Sequence, residues 1–234
     1  MTIILHPRKI LSFVRREGRL TNSQERALSL LYPLYGISLE TTPELTSLSL
    51  FNNQNPLILE IGFGMGQSLI TMALENPDQN YLGIEVHRPG VGHILLGIEK
   101  ENLKNLKILC HDAVEIINQN IPNQALTGVQ IFFPDPWHKK KHNKRRLVQE
   151  NFIKNLIPKL RSNTNSNSWI HLATDWEDYA NQMMSVMTSL PEFKNKFGEN
   201  KFSPDTANRP STKFQARGEK SGHGVWDLIF EKIA

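Results

Sequence analysis

From position 57 onward the chain alternates two kinds of apolar pattern. Short apolar runs, LILEIGF at 57–63, NYLGIEV at 80–86, LKILCHD at 106–112, GVQIFF at 128–133 and SWIHLATDW at 168–176, have the length and Ile/Leu/Val content of buried strands. Between them, apolar residues recur at three- and four-residue spacing, which predicts helices with one buried stripe. Leu69, Met72 and Ala73 form one such stripe, Val91, Ile94, Leu95 and Ile98 a second, and Tyr179, Met183 and Met187 a third. A further helix is predicted from about 146 to 160 on Val148, Phe152 and Leu156, and Pro89 suits a first helical turn. Two last runs, TKFQAR at 212–217 and VWDLIFEK at 225–232, flank the Gly-rich GEKSGHG and predict an antiparallel pair. Strands alternating with helices predict an α/β fold: a doubly wound, mostly parallel seven-stranded sheet that closes with that pair.

Residues 1–53 lack this alternation. Thr21 or Asn22 caps a short helix that Pro33 and Gly36 close, and the rest reads as a basic, partly flexible N-terminal arm before a domain at 54–234. Composition adds little to this division but bounds the class. The chain has 234 residues, 39% hydrophobic, enough for one sizeable core with an appendage. No stretch approaches the ~18 apolar residues of a membrane span, and the start MTIILHPRKILSF places charge where a signal peptide would be apolar. A cytoplasmic protein is expected. The one cysteine, Cys110, makes no internal disulfide, in keeping with a reducing compartment.

Charge changes the picture more. The 27 cations and 23 acids nearly cancel to +4, yet the cations cluster, at Arg8–Arg19 and at Lys139–Arg146, and such patches are the usual footprint of phosphate binding or simply a solvated face. The second cluster follows IFFPDPW directly. Asp135 stands where that strand would surface, and six of the next eleven residues are Lys or Arg. His138 and His142 lie among the lysines without a carboxylate or third ligand, so no metal site is expected.

The strand ends carry the remaining candidate chemistry, because in a doubly wound sheet ligands bind beyond the carboxyl ends of the strands. The first run ends in Glu60 and a glycine loop, Gly62, Gly64 and Gly66, spaced GxGxG rather than as the GxGxxG dinucleotide fingerprint. Alone, such a loop is equally a tight strand-helix turn. The second run ends at Glu85, 25 residues after Glu60, where an acid suits two ribose hydroxyls. Asp112 ends the third, fitted either to an adenine amino group or to capping the next helix. Three acids at consecutive strand ends point to an adenosine-containing cofactor. Glu60 would repel a pyrophosphate but suits a cationic, ammonium-bearing molecule such as S-adenosylmethionine. A nicotinamide oxidoreductase is disfavoured by the same two features.

At this level of detail the chain resembles the class I, Rossmann-like S-adenosylmethionine-dependent methyltransferases, and more narrowly the bacterial tRNA (guanine-N7-)-methyltransferases. The resemblance rests on SFVRREGRLTNSQ at 12–24, LEIGFGMG at 59–66, GIEVHRPGVG at 83–92, FFPDPWHKKKHNKRRLVQ at 132–149, ATDW at 173–176, RPSTKFQARG at 209–218 and GHGVWDLIFE at 222–231. It implies methylation of a guanine in the variable loop of tRNA, commonly at position 46, with tRNA as partner. It also implies cofactor contacts at Glu60, Glu85, Asp112 and the glycine loop, and a catalytic Asp135 at the junction with the substrate. Lys139, Asp175 and Thr212, Lys213, Phe214 and Gln215 fall on the substrate side. Lys141, His142, Asn143, Lys144, Arg145 and Arg146 become an RNA-contacting stretch, joined by Arg15 and Arg19 of the arm. Gln215 stands where the family has an acid; it keeps an acceptor oxygen and loses the charge. Trp137 is either a stacking surface for an extruded base or a ring closing the sheet. A catalytically silent RNA-binding module is the competing expectation, and a monomer is slightly favoured.

Overall fold

The computed structural model describes residues 12–13, 18–162, 168–204, 209–210 and 224–233. Its strands are β1 (Leu57–Ile61), β2 (Asn80–Ile84), β3 (Leu106–Leu109), β4 (Gly128–Phe132), β5 (Trp169–Thr174), β6 (Phe193–Asn195) and β7 (Trp226–Lys232). They lie in the order β3-β2-β1-β4-β5-β7-β6. The first five are parallel, and β7 runs antiparallel between β5 and β6. The reversal of order at β1 and β4 creates the crevice expected of a doubly wound sheet.

Alternation along each strand divides the core into two layers. In β1, Leu57, Leu59 and Ile61 join one cluster, with α6 (Ala113–Gln119), α7 (Glu150–Leu156) and α8 (Glu177–Thr188). Ile58 points the other way, toward α1 (Asn22–Leu30), α4 (Gln67–Glu75) and α5 (Arg88–Glu101). Because both faces are covered, the strands can be apolar throughout, which is why they read as runs. The helical stripes fall as the spacing predicts: Leu69, Met72 and Ala73 in α4, Val91, Ile94, Leu95 and Ile98 in α5, and Tyr179, Met183 and Met187 in α8 are all buried. Each Val, Leu, Ile or Met side chain among them contributes about 1.5–3 kcal/mol of transfer free energy.

Three features differ from expectation. Residues 21–53 pack into the body of the protein rather than forming an arm. Thr21 caps α1 through a capping box with Gln24, Ala27 and Leu31 are buried, and α2 (Tyr32–Tyr35) ends at Gly36, as Pro33 and Gly36 suggest. Ile37 N–H donates to Ile108 O at 3.0 Å, and Leu45, itself fully buried, donates to Asn120 O at 2.8 Å. α3 (Ser47–Phe51) follows, with Ser47 Oγ bonded to Asn55 O. α2 and α3, four and five residues long, are too short to show a period, so their apolar positions read as irregular.

The helix expected over 146–160 begins only at Glu150. A 3-10 turn occupies Lys140–Arg145, and Arg146 has an extended ψ of 136° because its side chain is drawn inward. Finally, the antiparallel neighbours of β7 are β5 and β6, the latter drawn from the charged connection after α8. The segment TKFQAR, expected as its partner, lies outside the described residues.

Candidate active site

A cavity of about 670 Å³ opens at the carboxyl ends of β1 to β4. Glu60, Gly62, Gly64, Gly66, Glu85, Asp112 and Asp135 all line it, so every residue assigned to a cofactor from sequence meets in one place. The glycine loop is required on two grounds. Gly66 has φ +76°, and a Cβ there would meet Ile94 Cδ1 at 2.4 Å. From the other side, a Cβ on Gly90 of α5 would lie 2.0 Å from the Gly64 carbonyl oxygen, so helix and loop touch backbone to backbone.

Glu85 fastens this loop. Its Oε2 accepts from Gly64 N–H at 2.8 Å, and Oε1 accepts from the N–H groups of Val86 at 2.7 Å and His87 at 2.9 Å. A carboxylate has about four acceptor positions, so it retains capacity for a ligand hydroxyl. Asp112 caps α6, as one of its two sequence readings has it, Oδ1 accepting from Val114 N–H at 2.9 Å, and it also lines the cavity. Glu60 differs from both. It is 3% exposed, and its Oε2 has no hydrogen-bond partner among the described residues. Burial, and secondarily the charge on Glu85, push its pKa up to about 8, so the carboxyl holds its proton at neutral pH unless a cation enters.

Asp135 is exposed at the cavity's rim. The turn that carries it has non-glycine residues with positive φ on both sides, Phe133 at 51° and Trp137 at 45°, a conformation that costs each roughly 1–2 kcal/mol and persists only when its surroundings impose it. Two buried arginines touch this turn. Arg146 donates from Nε to Pro136 O at 2.8 Å, and its other nitrogens bond Gln182 Oε1 at 2.5 Å and Asp178 Oδ2 at 2.6 Å while the guanidinium covers Tyr179. Arg209 lies over the rings of Phe133 and Phe132, at 5.1 and 5.5 Å, and pairs bidentately with Asp227.

The Asp227 cluster was not legible beforehand, although a His and an Asp inside apolar strands were its trace. Asp227 Oδ1 also bonds His171 Nε2 at 2.7 Å, and all three side chains are nearly inaccessible. Burial lowers the His171 pKa, which keeps the imidazole neutral and donating. Burial alone would raise Asp227, but the bonds from His171 and Arg209 hold it below the usual carboxylate range.

The basic stretch divides. Lys139, Lys141 and Lys144 are exposed, Asn143 is half-buried, and Arg145 lies over Trp137 at 4.0 Å. His142 meets the Trp137 ring edge at 6.0 Å; partial desolvation and the charges of Lys141 and Arg145 lower its pKa, so it adds no cation at neutral pH. Arg146, expected among the RNA contacts, is instead 3% exposed, with Nε, Nη1 and Nη2 each bonded within the protein. Trp137 is half-buried with one face covered, and its Nε1–H donates to Ser12 O at 3.1 Å. Ser12 and Phe13 thereby reach the cavity wall. Asp175 is half-buried just past β5, beside the exposed Trp176; neither it nor Lys139 lines the cavity. Arg19 is exposed before α1. Arg15 and Thr212, Lys213, Phe214 and Gln215 lie outside the described residues. No cluster of His, Cys, Asp or Glu suited to a metal occurs among the described residues.

A family model described as "Putative methyltransferase" matches residues 54–228. The tRNA (guanine-N(7)-)-methyltransferase of Pectobacterium atrosepticum is 50% identical over 226 residues, 97% of this chain and 92% of the relative. That of Alcanivorax borkumensis is 52% identical over 230 residues, covering 97% and 93%. The chain belongs to the tRNA (guanine-N(7)-)-methyltransferase family. Solved structures agree on the fold: the 16S rRNA methyltransferase KamB superposes with a TM-score of 0.57 at 13% identity, over 79% of this chain and 91% of KamB. An O-methyltransferase from Thermotoga maritima reaches 0.50 at 12% identity, over 92% and 72%. The fold is therefore that of class I methyltransferases, and within this tRNA methyltransferase family the cavity at the strand ends is the candidate active site.

Proposed function

We propose that the chain transfers a methyl group from S-adenosylmethionine to N7 of a guanine in tRNA, the variable-loop position 46 being the expected target, and that it does so in the cytoplasm. The observation that carries this reading is a single cavity holding Glu60, Glu85 and Asp112, with Asp135 at its rim and exposed lysines just beyond. No helix among the described residues is long and apolar enough to cross a membrane.

The residues present fit the cofactor. A volume near 670 Å³ falls in the usual range for small-molecule sites, ~300–1,000 Å³. Glu85 and Asp112 supply acceptors for hydroxyls and an amino group, and the unpartnered Glu60 oxygen suits a cation. When bound, S-adenosylmethionine supplies an electrophilic methyl group on a positively charged sulfur.

Guanine N7 carries an in-plane lone pair and no proton, so the chain need provide no general base. Its task is to align the base and to stabilise positive charge as it develops on the purine. A carboxylate fixed at the rim, Asp135, serves that charge or grips the N1 and N2 donor edge of the guanine. Asp175, on the next strand-end turn and outside the cavity lining, shares the second task. Alignment itself contributes on the order of 7–11 kcal/mol in well-oriented systems. Lys139, Lys141 and Lys144 hold phosphates, their exposure leaving them unpaired with the core.

The test is transfer of labelled methyl from S-adenosylmethionine to unmodified tRNA, followed by mapping of the modified nucleotide. Label on N7 of the variable-loop guanine is the expected result; no transfer to any tRNA carrying that guanine would sink the proposal. A silent RNA-binding module of the same fold would instead show salt-sensitive RNA binding and no heat with S-adenosylhomocysteine.

A further inference from the structure

We propose that Arg146 and Arg209 are positioning residues for the methyl transfer, holding from two sides the turn that presents Asp135. This rests on the functional reading above. Arg146 grips the turn's carbonyl at Pro136, one residue beyond Asp135, at 2.8 Å. Arg209 closes over Phe133 and Phe132, the residues that lead into it, at 5.1 and 5.5 Å. Neither cation is directed outward: both residues are nine-tenths or more buried, and each is matched by a carboxylate from another element, Asp178 of α8 and Asp227 of β7.

The arrangement explains why the turn keeps its conformation. Positive φ at Phe133 and at Trp137 is not favoured by those side chains, so the local sequence does not hold Asp135 in place. Arg146 does so by tying Pro136 O to Asp178 and Gln182 at once, which fixes the turn relative to α8. A planar guanidinium with its donors in a fixed fork can satisfy these three acceptors together; a lysine ammonium on a flexible stem lacks that geometry. Arg209 does the corresponding work relative to β5 and β7, since Asp227 is itself bonded to His171, whose ring meets Phe132 edge-on at 4.9 Å. Adjacent arginines thus have opposite tasks, Arg145 lying over the Trp137 ring and Arg146 facing the turn beneath it.

The experiment compares the full chain with Arg146→Met, Arg146→Lys, Arg209→Lys and Asp178→Asn in single-turnover transfer to tRNA. Affinity for tRNA as a function of salt, affinity for S-adenosylhomocysteine, and amide hydrogen exchange across 133–138 are measured alongside. Arg146→Met should lower turnover by about 100-fold, the scale of an ångström-sized misplacement. Its tRNA affinity, salt slope and S-adenosylhomocysteine affinity should stay within about twofold of the parent, a loss confined to kcat. Exchange in 133–138 should quicken, with Arg146→Lys recovering part of both effects and Arg209→Lys showing the same split. Asp178 is 70% exposed, so Asp178→Asn will fold and should reproduce a smaller form of the Arg146→Met pattern. A shallower salt slope would make Arg146 a phosphate contact and overturn the proposal, as would unchanged turnover or unchanged exchange at the turn. Inactivity of the parent chain would defeat the functional reading alone, because the exchange measurement still decides whether these arginines hold the turn.

Discussion

The cradle at the ends of β1 to β3 and the turn after β4 serve one cavity but are built differently. In the cradle, carboxylates bond to backbone: Glu85 to Gly64, Val86 and His87, and Asp112 to Val114, all near in space because the strands are neighbours. In the turn, Arg146 bonds the Pro136 carbonyl and Arg209 covers the Phe133 ring, each paired with a carboxylate of α8 or β7, around a backbone that its own residues disfavour. The cradle follows from topology once the strands are placed. The turn depends on ion pairs between residues 32 positions apart in one case and 18 in the other.

That contrast is broken or sharpened by substitution on each side. The largest effect is expected at Asp227→Asn, which leaves Arg209 buried without its counter-charge. Loss of about 3–5 kcal/mol is expected in denaturant unfolding. Since Asp227 titrates below its ordinary value when folded, the parent's stabilisation from this group is present above about pH 4 and disappears as pH falls through the lower folded value. The variant should lack that acid limb. A wild-type unfolding curve in Asp227→Asn would show that the turn needs no such anchor.

Asp135→Asn comes next. It removes charge with little change of shape, and turnover should drop by roughly 10²–10³ with tRNA binding retained, as single-turnover and binding assays would show. Equal loss of both would make Asp135 a structural group.

On the cradle side, Glu60→Gln tests the buried carboxyl. Its folded pKa is raised, so the ligand-free parent should lose stability relative to the variant as pH rises from about 4.5 to about 8, by at most ~1.4 kcal/mol per pH unit, with no further change above. Thermal unfolding across pH 5–9 reads this directly. A pH-independent difference would mean that Glu60 is not protonated in the empty cavity. Gly90→Ala should push the Gly64 carbonyl aside at a cost of ~1–3 kcal/mol and weaken S-adenosylhomocysteine in calorimetry, leaving tRNA affinity alone. The smallest effect is expected for Lys141 and Lys144 replaced together by Ala. Each lost phosphate contact should flatten the logarithmic salt dependence of tRNA binding by about 0.7–0.9. An unchanged slope would place the two lysines in solvent only.

Legibility in the sequence follows the same division. β1 to β5, the glycine loop, Glu60, Glu85, Asp112 and Asp135 could be placed because buried parallel strands are continuous apolar runs and polar interruptions fall at their ends. A cap on α1 at Thr21 or Asn22 was visible for a similarly local reason, and Thr21 supplies it. Packing of residues 32–53 was hidden, since α2 and α3, four and five residues long, carry no period. β6, three residues long with a lysine at its centre, gave no strand signal. Arg146 was misread because six neighbouring cations look alike in sequence, and only the position of Asp178, Gln182 and Pro136 O separates the one that faces inward.

One further consequence comes from the direction of β7. Because it runs against β5, its first residue, Trp226, pairs with Thr174, so the chain re-enters the sheet at the reactive edge rather than leaving from it. Trp226, late in the sequence, thereby stands at the carboxyl end of β5 without belonging to the strands that build the cradle. The carboxyl end of β5 thus meets the start of β7, and one edge of the sheet carries both an outgoing and an incoming chain.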